Sequence, residues 1–158
     1  MTQTGLEVFD STIHKTHEWL NDIATELAWR DRHMAYIALR AALHALRDRL
    51  TAEEAVHLGA QLPMLIRGLY YEGWSPSGKP IKWHKPEFLA CIRDGFRGKE
   101  EPEPEAVARA VFTVVARHIS AGEIKDVKHI LPKRLCELWP ETEPPARARG
   151  TRKSPKPL

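Results

Sequence analysis

Apolar residues recur at helical spacing along most of this chain. Phe9, Ile13, Thr16, Leu20, Ile23 and Leu27 fall at steps of three and four and predict one stripe of a first helix. Trp29-Arg30-Asp31 interrupts that pattern, and Asp31 suits the N-cap of a second helix. Ala35, Leu39, Ala42, Leu46 and Leu50 mark the second helix, a run of good helix formers without Gly or Pro. Thr51 opens a short third helix carrying Ala55, Leu58 and Leu62. Pro63 belongs in the first turn of a fourth, where its missing N–H would have had no partner, and that helix ends near Gly73. No stretch alternates with a two-residue period between hairpin turn signals, so no β-sheet is expected.

The same plan returns at an offset of 69 residues without a gap. Glu18-Trp19-Leu20 lies over Glu87-Phe88-Leu89, Arg40-Ala41-Ala42-Leu43 over Arg109-Ala110-Val111-Phe112, and Leu62-Pro63 over Leu131-Pro132. Thr51 and Glu54 have the spacing of a capping box, in which the hydroxyl accepts one N–H and the carboxylate reaches back to another; Ser120 and Glu123 repeat it. The expectation is an all-α fold, a helical bundle of about eight helices from two tandem copies of a four-helix unit. The first unit spans 6–73, a linker 74–85, the second unit 86–140 and a disordered basic tail 141–158. A unit of roughly 60 residues is marginal alone, so the two are expected to pack as one domain.

Leu46-Arg47-Asp48-Arg49-Leu50, then Glu54-Ala55-Val56-His57-Leu58-Gly59-Ala60-Gln61-Leu62-Pro63 and Arg67-Gly68-Leu69-Tyr70-Tyr71-Glu72-Gly73-Trp74, resemble the bacterial family known as domain of unknown function 2267. Thr16-His17-Glu18-Trp19-Leu20 fits as well, and the resemblance runs over about residues 6–140. It implies a duplicated helical fold and supplies no catalytic residue.

Charge changes the picture at one end. The chain is net +3, but Arg147, Arg149, Arg152, Lys153 and Lys156 bring five positive charges with no acid among them, leaving −2 for residues 1–146. A basic nucleic-acid-binding face on the body is therefore not expected. No apolar run approaches the roughly 20 residues of a membrane span. Met1 to Asp10 lacks the basic start and apolar stretch of a secretory leader. Cys91 and Cys136 have no motif spacing and read as reduced thiols. A cytoplasmic protein is the expectation.

Candidate chemistry is sparse. Glu54-x-x-His57 has the spacing by which di-iron bundles present ligands, and Asp126-x-x-His129 is similar. However, His57 aligns with Asp126 rather than His129, and Glu54 has a capping role, so a solvated helix surface is favoured over a metal site. His14 and Glu18 suit a helical ion pair. No nucleophile elbow, paired Cys and His motif or phosphate-binding loop is present, so no cofactor and no catalytic residue are assigned.

Tyr70, Tyr71, Trp74 and Trp83 place four of twelve aromatics within fourteen residues, interleaved with Arg67 and Lys79. Such a cluster suits either the seam between units or a docking patch for another protein. Arg40 and Arg109 occupy equivalent positions, as do Glu18 and Glu87; either each arginine pairs with the glutamate of its own unit, or all are independent surface charges. The leading reading is a non-enzymatic protein-binding or adaptor module, monomer or homodimer. The alternatives are weak nucleic-acid contact through the tail cations, or a small-ligand or metal-binding bundle.

Overall fold

The computed structural model describes residues 4–97 and 102–141. Among these residues the chain is all-helical, with no strand: α1 Glu7–Leu27, α2 Arg32–Arg49, α3 Ala52–Gln61, α4 Met64–Tyr71, α5 Lys85–Asp94, α6 Pro104–His118, α7 Ala121–Ile130 and α8 Lys133–Cys136. No helix is long and apolar enough to cross a membrane among the described residues.

Local chemistry sets the boundaries. Asp31 Oδ1 accepts the His33 and Met34 N–H groups at 2.9 and 3.4 Å, opening α2 as expected. The α3 and α7 starts stand 69 residues apart. Thr51 Oγ1 accepts the Glu54 N–H, and Ser120 Oγ the Glu123 N–H, each at 3.2 Å. The carboxylate half of the expected capping boxes is not seen. Glu54 and Glu123 are buried instead, and the Ser120 N–H donates to Gln61 Oε1 at 3.1 Å. Tertiary packing has taken the two carboxyl groups away from their own helix ends.

The helices interlock across the midpoint of the sequence. α1 packs on α2 and α6, α5 packs on α6 and α2, and α2 also meets α6. α3 lies against α4 and α7. One core results, joining Trp19, Leu39 and Leu46 to Phe88, Val111 and Phe112. The alanines Ala35, Ala38, Ala42 and Ala45 on α2 are buried and let neighbouring helices approach this central element closely. At the α2/α5 crossing a Cβ on Gly95 would stand 2.6 Å from the Ala41 Cβ and 3.2 Å from the Ile92 carbonyl oxygen. Gly95→Ala must push the helices apart and is expected to lower stability by about 1–3 kcal/mol in urea denaturation; an unchanged midpoint would show that the crossing has slack.

Of the two alternatives for Arg40 and Arg109, the pairing with Glu18 and Glu87 is not seen. Arg40 reaches Glu72 at 4.0 Å rather than Glu18. Arg109 holds Glu105 at 2.9 Å and donates to the Glu137 carbonyl at 2.8 Å, rather than meeting Glu87. Each guanidinium thus serves the closing end of its own half. Glu18 instead pairs with His14 at 2.9 Å along α1.

Candidate functional site

The aromatic-basic cluster around residues 67–83 is largely used inside the molecule. Arg67 donates to the Gly59, Ala60 and Leu62 carbonyls at 2.8, 3.2 and 2.9 Å, capping α3. Tyr70, a candidate for either the seam or a partner contact, is fully buried; its hydroxyl donates to the Ala55 carbonyl at 2.7 Å, and burial raises its pKa. The Tyr71 ring sits edge-on to Tyr70 with centroids 4.9 Å apart, and its hydroxyl fits where a side chain on Gly59 would overlap it. Trp74 and Trp83 are half-buried against the core. Lys79 lies 3.9 Å from Asp48 with its side chain only 10% exposed. The Ile81 N–H donates to the Asp48 carbonyl at 2.8 Å, and Arg49 Nε donates to the Trp83 carbonyl at 3.0 Å. These contacts bind the connecting loop to α2. The tail cations Arg147, Arg149, Arg152, Lys153 and Lys156 lie outside the described residues.

Glu54 and His57 approach with Oε2 and Nδ1 3.7 Å apart. Among the described residues no three His, Cys, Asp or Glu side chains converge as a metal-holding group. A cleft of about 410 Å³ between α2 and α5 is lined in part by His44, Asp48, Cys91 and Asp94. Its histidine Nε2 is 2.8 Å from the Leu69 carbonyl, and burial lowers the His44 pKa. Burial, then Asp94 and Asp48, push the Cys91 thiol up. A thiol held protonated in this way is a poor nucleophile.

The surface that the sequence did not single out is a groove of about 430 Å³ between α1, α2 and α4. Leu20, Tyr36, Leu39, Leu65, Gly68 and Leu69 line it, with Thr16 and Glu72 also present. Thr16 turns its hydroxyl to the Thr12 carbonyl at 2.8 Å. Thr12 Oγ1 in turn accepts the Leu65 N–H at 2.9 Å, supplying the start of α4 with a cap that Pro63 does not give. This bond ties one groove wall to the other. Apolar surface continues beyond the groove: Tyr36, Phe9, Met64 and Leu65 are 38, 45, 44 and 48% exposed. Phe9 shares the α1 face of Thr12 and Thr16, so the stripe expected to be core throughout runs out onto the surface. Gly68 lies inside α4, and a Cβ built on it meets nothing within 4 Å among the described residues.

A protein-family model described as "Uncharacterized conserved protein (DUF2267)" matches residues 16–138, which include the groove residues from Thr16 to Glu72 and all of α2 to α8. The chain belongs to the DUF2267 family. No curated protein matches the chain in sequence. For this DUF2267 chain, the match covers both halves of the interlocked core, while Phe9 and Thr12 precede it. The signals that could have exposed the groove were present in the sequence. They are an unneeded glycine within a helix and a stripe longer than its partner helices can cover.

Proposed function

We propose that the protein is a non-enzymatic helical protein-binding module that seats an amphipathic helix of its partner in the α1/α2/α4 groove. The observation carrying this reading is Gly68. A glycine inside a helix costs about 1 kcal/mol relative to alanine, and here no neighbour among the described residues requires it, because none of them comes within 4 Å of a Cβ at that position. That space opens into the groove. An apolar channel with a polar Glu72–Arg40 pair at one end suits apolar anchors spaced at i, i+3, i+4 and i+7 on a docked helix. Exposed apolar surface beside it, rimmed by polar residues, supports the same use.

The test is a displayed library of amphipathic helical peptides selected on the full chain, then titrated against Gly68→Ala and Gly68→Leu. Gly68→Ala is expected to raise stability by about 0.5–1 kcal/mol. Gly68→Leu fills the channel and is expected to weaken selected peptides at least tenfold while the chain stays folded. Peptides that bind Gly68→Leu and the parent chain equally would overturn the assignment of the groove.

A further inference from the structure

We propose that Glu54 and Glu123 hold one proton between them, and that this proton latches α3 to α7. Both side chains are buried, each 7% exposed, although they come from opposite halves of the chain. They stand at equivalent positions, the third residue of α3 and of α7, and these two helices pack against each other. Their carboxyl groups are within hydrogen-bonding reach of one another. Glu54 Oε1 and Glu123 Oε1 have no hydrogen-bond partner among the described residues.

The chemistry of that meeting is decided by donors. An ionised carboxylate only accepts, so two facing carboxylates leave both sides unsatisfied and add like-charge repulsion in a poorly solvated place. One proton converts the pair: a carboxylic O–H on one side donates to the carboxylate on the other, as in other buried dicarboxylates. The surroundings offer little else. His57 Nδ1 on α3 is 3.7 Å from Glu54 Oε2 and faces solvent in part. Asp126 on α7 adds a second negative charge near Glu123, and Tyr70 from α4 directs its hydroxyl to the Ala55 carbonyl. The Arg47 guanidinium is engaged by the Tyr70 and Glu72 carbonyls, and Arg67 is engaged at the opposite end of α3.

Burial first, then the Glu54 hydrogen bond and charge, push the Glu123 carboxyl from 4.5 up to about 8. The folded chain therefore keeps a proton that the unfolded chain releases near 4.5. The pair's contribution to stability is fully present below that lower value, falls as pH rises, and levels off once pH passes about 8. Above that point the α3/α7 contact carries two charges and loosens.

The experiment uses the full chain with His57→Asn, which removes the neighbouring imidazole from the titration. Thermal midpoints and α3/α7 amide exchange are followed from pH 5 to 9.5, corrected for intrinsic exchange, in this background and with Glu123→Gln added. The Gln amide donates permanently to Glu54, so its midpoint is expected to vary less with pH and to lie several degrees above its parent at the alkaline end. A carboxyl NMR titration of the unsubstituted chain covers a variant that fails to fold: one glutamate should titrate near 8. Two glutamates titrating at ordinary carboxylate values, or equal pH slopes with and without Glu123→Gln, would overturn the latch.

Discussion

Arg47→Ala lowers the unfolding free energy by about 3–5 kcal/mol, as expected when one partner of a buried ionic network is removed. The side chain is only 5% exposed and lies on α2. Its guanidinium donates to the Tyr70 and Glu72 carbonyls, both at 2.7 Å, and to Asp48 Oδ1 at 3.0 Å. The carbonyls at the end of α4 have no partners within their own helix, so α2 supplies them from outside. His44, one turn earlier on α2, lies 2.8 Å from the Leu69 carbonyl. Alanine at position 47 strands two carbonyls and leaves Asp48 with the more distant Lys79. Arg47→Lys keeps the charge but not the planar fork, and should recover only part of the loss. Urea denaturation measures both variants. A loss below about 1 kcal/mol for Arg47→Ala would place it with exposed charges. Because α4 forms one wall of the groove, the same variant should weaken peptide capture more than its stability loss alone explains.

Trp19→Ala is the second large expected effect, about 3–5 kcal/mol for deleting a fully buried indole. Trp19 is 2% exposed. It stacks on His118 with ring centroids 4.8 Å apart and planes 20° from parallel. His118 Nε2 lies 2.9 Å from Asp22 Oδ2 on α1, and Arg117 pairs with Glu26 one turn further along. One face of α1 therefore clasps the end of α6. A double-mutant cycle with His118→Ala separates the stack from simple volume loss: the two losses should fall short of adding by about 0.5 kcal/mol or more. Strict additivity would mean that the rings merely coexist.

Helix identity and many helix starts were legible because their causes are local. Asp31, Thr51 and Ser120 accept N–H groups within three residues of themselves, and such bonds depend on spacing alone. Arg47 was not legible as a buried donor. Within Leu46-Arg47-Asp48-Arg49 it resembles its neighbours, and only the arrival of the α4 terminus over it makes the difference. The same reason hid the carboxyl pair. Sequence spacing assigns Glu54 and Glu123 to their own helix ends, whereas their packing brings the two together. Phe9 belongs to a stripe that periodicity alone reads as core, yet periodicity does not say how far the opposing helices extend. The candidate groove was therefore visible as ingredients, Gly68 and a long α1 stripe, but not as a place.

The interlocked order of the helices also dictates when the chain can close during synthesis. Leu20 and Ile23 on α1 share a core with residues of α6, and α1 lies directly against that helix. A nascent chain that has delivered only its first half still shows this greasy side to its surroundings until α6, which ends at His118, has left the ribosome tunnel. The early helices bury that side fully only when the late ones arrive.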